Sequence, residues 1–174
     1  MNKSTVCRKH LTHILFLIII FFMISSVTLA DSNHPGYMAD IYCHDGPYAI
    51  RLPKSLKALR SIGKLKSERI IRIDKVMGTE DRELIYEGLR LIIVTCKTCQ
   101  PDYIFSRVNI TSPSWNISAN FRVGDTVESI EKRLDGKIRK VDDWLEVVGG
   151  GSDELRFRIS NGKVVEIEYL CYIG

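Results

Sequence analysis

Two cysteines separated by two residues, Cys96-Lys97-Thr98-Cys99, form the motif with the clearest chemical potential in this 174-residue chain. In thiol–disulfide enzymes such a motif opens a helix, whose N-terminus lowers the pKa of the first thiol. Here it follows an apolar β-type run, Leu89–Val94, and Gln100-Pro101-Asp102 favours a turn after it. We therefore expect structural disulfide chemistry, with thiol–disulfide catalysis through Cys96 and Cys99 as the alternative.

Cys43 and Cys171 complete a set of four cysteines in the body of the chain. Four cysteines permit three pairings, and the sequence leaves the choice among them open. Each bridge would stabilise the fold by roughly 2–4 kcal/mol. Cys171 falls on the apolar face of the last predicted strand, so its bond should be buried.

Residues 1–30 have the three parts of a secretory signal. A basic start without acidic residues leads into an unbroken apolar run, Ile14–Ile24, and small residues follow, with Thr28 and Ala30 at positions −3 and −1 of a cut before Asp31. The run is shorter than the about 20 apolar residues that span a membrane. We expect cleavage and a periplasmic or secreted protein, with retention as an anchor as the alternative.

Removing the signal changes the charge balance. Three basic residues and no acidic ones lie in residues 1–30, so the formal net charge falls from +4 to +1. With no basic field left, we expect the mature chain to bind neither nucleic acid nor a membrane. A chain of about 150 residues buries roughly 70% of its unfolded surface, which suffices for a hydrophobic core.

Two segments at an offset of 71 residues, Ile50–Leu59 and Phe121–Ile130, share apolar positions, an arginine and a hydroxyl residue. Each predicts a short strand, a capped start and a helix of about three turns. Asp125 and Glu128 have the spacing of a capping box, which places the start of the second helix near Asp125.

Strand-like runs follow each predicted helix. The clearest hairpin joins Glu154–Ile159 to Lys163–Tyr172 through Ser160-Asn161-Gly162, whose Asn and Gly readily take positive φ. The other predicted strands are Glu68–Val76, Glu83–Cys96, Tyr103–Ile110 and Ile138–Val148, with a polar turn at Met77–Arg82.

These elements predict an α+β fold of two similar helix-plus-antiparallel-sheet units in tandem, with the helices packed on one sheet face. The predicted boundaries are an N-terminal segment at 31–47, a first unit at 48–112 and a second unit at 113–174.

Arg122–Gly136, together with the meander that ends in Phe157–Ile167, resembles the repeat unit of the β-lactamase inhibitory proteins and of the small lipoprotein in the outer-membrane barrel-assembly machine. Those are helix-plus-meander modules, single or in tandem, that bind other proteins and catalyse nothing. The resemblance covers residues 120–172 well and 48–96 loosely, and it implies a non-enzymatic binding module. It carries over no partner and no contact residue, and this chain lacks the lipidated cysteine of the lipoprotein.

No constellation of side chains predicts catalysis. The mature chain has two histidines, His34 and His44, and neither falls in a predicted core element. Glu166 and Glu168 alternate outward on a predicted strand and are expected to form a solvated face. We therefore expect no catalytic residue, no metal site and no cofactor.

Three aromatic residues are candidates for an interface: Trp115, Trp144 and Tyr103. Trp115 lies in the linker between the two predicted units, as either a clasp or an exposed anchor, and exposed Trp and Tyr are typical hot spots of binding. The sequence thus favours an exported, non-enzymatic module that binds another protein, as an inhibitor, an immunity-type protein or an envelope accessory. The alternatives are a thiol–disulfide oxidoreductase and a purely structural envelope protein.

Overall fold

The computed structural model describes residues 43, 48–97, 102–118, 120–135, 137–147 and 153–172. The predicted signal at 1–30 and the 31–47 segment, apart from Cys43, lie outside the described residues. The elements are α1 (Leu56–Leu59), β1 (Leu65–Asp74), β2 (Thr79–Tyr86), β3 (Leu89–Cys96), β4 (Tyr103–Ile110), α2 (Val127–Leu134), β5 (Ile138–Val141), β6 (Trp144–Val147), β7 (Glu154–Ser160) and β8 (Lys163–Leu170).

The eight strands form one antiparallel sheet in the order β1-β2-β3-β4-β8-β7-β6-β5. Six of the seven strand pairings join strands that follow each other along the chain. The seventh joins β4 to β8, from Arg107↔Leu170 to Ile110↔Ile167. This central pairing makes a single sheet from strands that lie on both sides of residue 112.

The predicted fold class, two similar helix-plus-sheet units in tandem, is therefore wrong. The described residues form mainly one eight-stranded sheet, and α2 is their only helix of seven or more residues. The first predicted helix is a single turn, Leu56–Leu59. A helix of three turns would extend into the residues that form β1, which begins at Leu65. Ser55 caps this turn by accepting a hydrogen bond from the Ala58 N–H at 3.2 Å.

Several individual strands are predicted correctly, although the overall arrangement is not. The hairpin of β7 and β8 is confirmed, with Asn161 and Gly162 at φ 50° and 73° in its turn, and so is Tyr103–Ile110. The predicted turn at Met77–Arg82 is wrong, because β2 begins at Thr79.

Two further boundaries differ from the sequence prediction. The run 138–148 is divided into β5 and β6 by a turn in which Asp142 has φ 54°. Helix α2 is capped by Thr126, one residue after the predicted Asp125; the Thr126 hydroxyl accepts from the Ser129 N–H at 3.3 Å.

One face of the sheet packs against α1 and α2 and forms the core. Side chains from both helices and from strands across the whole sheet lie in this cluster, among them Leu59, Ile130, Leu134, Leu84, Leu91, Val108, Phe157 and Tyr169. The Tyr86 hydroxyl donates to the Leu59 carbonyl at 2.7 Å and ties α1 to this face. No helix among the described residues has the length and apolar character to cross a membrane.

Candidate functional site

Side chains that alternate with the core residues point to the opposite face of the sheet, which we call the open face. The strand register aligns one row of them across six strands, from β3 to β5. In order, this row is Arg90, Asn109, Glu168, Arg156, Glu146 and Arg139. Opposite charges that face each other across strands stabilise a sheet by roughly 0.2–1 kcal/mol per pair.

Glu83 is the most deeply buried carboxylate of the open face, with 1% of its side chain exposed. Arg69 donates to one carboxylate oxygen, and Arg90 Nε donates to the other at 2.6 Å. The hydrogen bond from Arg69 is the main cause that lowers the pKa of Glu83, and the bond from Arg90 adds to it. Glu83 is therefore held as an ionised acceptor beneath two guanidinium groups.

Glu168 occupies an equivalent setting on β8, with 8% of its side chain exposed. Arg156 Nε donates to it at 2.6 Å, and Arg107 lies 3.7 Å away. Its neighbour Glu166 pairs with Arg158 at 2.7 Å and accepts from the Asn109 amide. The expectation that Glu166 and Glu168 form a solvated face is wrong, because arginine side chains cover both.

The charges of the open face are thus layered. Six arginines on it keep between 43% and 69% of their side chains exposed (Arg69, Arg72, Arg90, Arg107, Arg139 and Arg158), while the carboxylates beneath them are largely buried. A guanidinium has five N–H donors, and one or two bonds to a carboxylate leave the others available. The outer layer therefore offers fixed hydrogen-bond donors rather than free acidic groups.

Trp144 lies within this layer, at the start of β6. The Arg156 guanidinium stacks over its ring at 4.6 Å from the centroid, and Arg158 is its cross-strand neighbour. Such cation–π contacts contribute about 0.5–1 kcal/mol at exposed sites. Of the three aromatic residues predicted as interface candidates, Trp144 is the one that belongs to the open face.

Trp115 instead acts as a clasp on the other side of the sheet. Its indole Nε1 donates to the Glu87 carbonyl at 2.7 Å, and its ring meets Tyr86 edge-on at 5.6 Å. Tyr103 is 4% exposed and donates from its hydroxyl to the Pro53 carbonyl. Burial raises the pKa of Tyr103 to about 12. Tyr103 is a core residue, so its prediction as an interface residue is wrong.

The structure shows one of the disulfides that the four cysteines permit. Cys43 and Cys171 are joined, with Cα atoms 5.9 Å apart, and Cys171 is buried as expected. The bond between Cys96 and Cys171 that the sequence left open is not formed. Cys96 is itself disulfide-bonded at the end of β3, and Cys99 lies outside the described residues.

Cys96 lines a shallow hollow of about 400 Å³ with Glu80, Arg82 and Lys97. The next described element is β4, which starts at Tyr103. In the described ranges, no group of three or more His, Cys, Asp or Glu side chains has the geometry to hold a metal ion. His34 and His44 lie outside those ranges.

Sequence reasoning missed the arginines of the open face and Glu83. Their signal was present in the alternation of charged and apolar residues along β2, β3 and β7, which marks a face but does not show that arginines cover the acids. No protein-family model, curated protein or solved structure matches the chain. The function is therefore inferred from this chain's own surface.

Proposed function

We propose that this chain is an exported, non-enzymatic module that binds another protein through the open face of its sheet. An inhibitor, an immunity-type protein and an envelope accessory are the roles that fit such a module. The observation that carries the proposal is the layer of exposed guanidinium groups, with Trp144, over buried carboxylates.

The chemistry of this layer favours a protein partner. Arginine and tryptophan are enriched among the residues that dominate binding energy at protein interfaces. The paired carboxylates hold several guanidinium groups in place, so less side-chain entropy is lost when a partner binds. Each buried acid also offsets the charge of its arginines, which weakens the field that a nucleic acid would need.

The same pairing argues against catalysis by the open face. A general acid near neutral pH needs a pKa close to that pH. The pKa of Glu83 is lowered by its two arginines, so its carboxylate stays ionised and already accepts their hydrogen bonds. Such a carboxylate positions guanidinium groups and is poorly placed to transfer a proton.

Export is supported by the sequence of residues 1–30 and is compatible with the bond between Cys43 and Cys171, since disulfides persist in oxidising compartments. N-terminal sequencing of the exported protein should begin at Asp31. A protein that retains residues 1–30 would instead support the anchored alternative.

The test of the proposal is affinity capture from the exported fraction with two matched variants. In the open-face variant, Arg107→Ala and Trp144→Ala remove two groups from the layer; Glu168 keeps its bond to Arg156. The control variant carries Glu131→Ala and Lys132→Ala on the exposed side of α2.

The wild type and the control variant should enrich the same protein. The open-face variant should bind it at least about tenfold more weakly, because truncating a hot-spot residue costs about 1–2 kcal/mol or more. Equal capture by the open-face variant, or no specific partner for the wild type, would refute the proposal.

A thiol–disulfide oxidoreductase is the second candidate, favoured by one observation. Because Cys43 and Cys171 bond to each other, Cys96 is not tied to either of them. This candidate predicts insulin reduction that is lost in Cys96→Ser, with a depressed pKa for the Cys96 thiol in the reduced protein. Absence of that activity in the wild type removes it.

A further inference from the structure

Strand β1 forms one edge of the sheet and is its longest strand, with ten residues. It pairs with β2 on one side, and no described strand pairs with it on the other. Its side chains and the adjoining turn expose several large apolar groups, from Ile73 at 59% to Val76 at 94%, together with Ile70, Ile71 and Met77. A long, exposed edge is a template for pairing with another strand, and because five of the ten residues of β1 are charged, that strand must carry complementary charges.

The pairing of β1 with β2 fixes which face each β1 residue occupies. Arg69 and Asp74 pair with Glu83 and Thr79, which places them toward the open face, whereas Ile70 and Ile73 pair with Arg82 and Glu80 on the opposite side. A bulge between Ile70 and Arg72 contains Ile71 as an extra residue. This extra residue shifts the alternation by one position in the second half of the strand.

The shift makes the segment from Glu68 to Lys75 complementary to itself. In a two-fold antiparallel pairing, both sheets keep the same face on the same side. One register then puts Arg69 opposite Asp74 on the open face and Ile70 opposite Ile73 on the other face. The same register sets Glu68 opposite Lys75, so two pairs carry opposite charges, and it sets Arg72 opposite Ile71 at the bulge.

We infer that a second copy of this chain pairs with the first through β1, in the register Arg69↔Asp74 and Ile70↔Ile73. The interface is isologous: each contact occurs twice, and the two eight-stranded sheets continue into one another. Opposite charges favour this register, and it covers the exposed isoleucines of both edges. The proposal concerns the edge of the sheet and does not rest on what binds the open face.

The exported protein, purified with its disulfides intact, should show a concentration-dependent dimer by analytical ultracentrifugation between about 1 and 100 µM. Substitutions at two exposed residues of β1 test the proposed register. Ile73→Lys alone and Ile70→Glu alone should each raise the dimer dissociation constant at least tenfold, because each sets a charge against an apolar side chain.

An equimolar mixture of the Ile73→Lys and Ile70→Glu proteins should recover the dimer. In the mixed dimer, the new lysine lies opposite the new glutamate, and the second Ile70–Ile73 contact is intact. A mixture of Ile73→Lys with Val76→Glu is the matched control. The Val76→Glu protein should dimerise with itself, because Val76 at the turn does not face position 73, and the Ile73→Lys protein should stay monomeric.

Circular dichroism of each variant excludes unfolding as the cause of dissociation. A wild-type protein that stays monomeric at 100 µM, a dimer that Ile73→Lys leaves unchanged, or equal recruitment of the Ile73→Lys protein into dimers by Val76→Glu would overturn the inference. The open-face variant with Arg107→Ala and Trp144→Ala should dimerise normally, so the two proposals fail independently.

Discussion

Glu83 provides the sharpest test of the layered charges on the open face. It is 1% exposed and has two arginine partners, Arg69 and Arg90, whose own side chains are 67% and 46% exposed. The magnitude therefore comes from the buried acid, because the exposed arginines are screened by solvent. Removing both partners breaks two charge-assisted hydrogen bonds and also opens the carboxylate to water, so the expected cost is about 1.5–3 kcal/mol, below that of a deeply buried unpaired charge.

The assay is urea unfolding of a double-mutant cycle at pH 7. The pair Arg69→Ala and Arg90→Ala should lower the free energy of unfolding by about 1.5–3 kcal/mol. Adding Glu83→Gln should restore part of that loss, since a partly buried amide without a partner costs less than a partly buried carboxylate without one. Glu83→Gln in the wild-type background should be destabilising, because the guanidinium groups lose a charged acceptor.

The pH dependence has a definite sign. The folded-state pKa of Glu83 is lowered, so its stabilising contribution is present above the unfolded pKa of about 4.3 and is lost as pH falls through the folded-state value. The difference in stability between the wild type and Glu83→Gln should therefore shrink on acidification. A double arginine variant that loses less than about 1 kcal/mol, or that Glu83→Gln does not rescue, would refute the layered arrangement.

Three other predictions concern the rest of the molecule. Replacing Cys43 and Cys171 by Ser should lower the free energy of unfolding by about 5 kcal/mol in the chain-entropy treatment of a 128-residue loop; a thermal shift of only a few degrees would contradict it. Gly63→Ala should destabilise by about 1–3 kcal/mol, because its Cβ would come within 2.8 Å of the Trp115 ring; unchanged denaturant midpoints would argue against the clasp. Cys96→Ser should leave the affinity for the captured partner unchanged, as measured by titration calorimetry, and a tenfold loss would move the site toward that end of β3.

The positions of the strands can be predicted from the sequence more reliably than the order in which the strands pair. Period-two alternation and the Asn161-Gly162 turn are local signals, and the hairpin they predict is present. The pairing of β4 with β8 is a contact between distant segments, and no local pattern records which strands become neighbours. The length of the first helix also depends on more than local pattern: the apolar stripe predicts three turns, but α1 ends at Leu59 and β1 begins at Leu65.

Only part of the candidate site can be predicted from the sequence. Trp144 could be named as a candidate from its type, but the same reasoning also selected Tyr103, which is buried. Alternation correctly set Glu168 apart from the core face, yet its burial depends on Arg156 and Arg107, which come from two other strands. Burial of a carboxylate by arginines from other strands depends on tertiary structure and cannot be predicted from the spacing of residues along one strand.

Site-specific photo-cross-linking in the native exporting cell can show whether the open face contacts another protein. A photoreactive phenylalanine analogue at the position of Ile104, on the open face of β4, should give a discrete adduct with another protein. The same group at the position of Lys132, on the exposed side of α2, should give none. Adducts at Lys132 without any at Ile104 would contradict the claim that the open face is the binding surface.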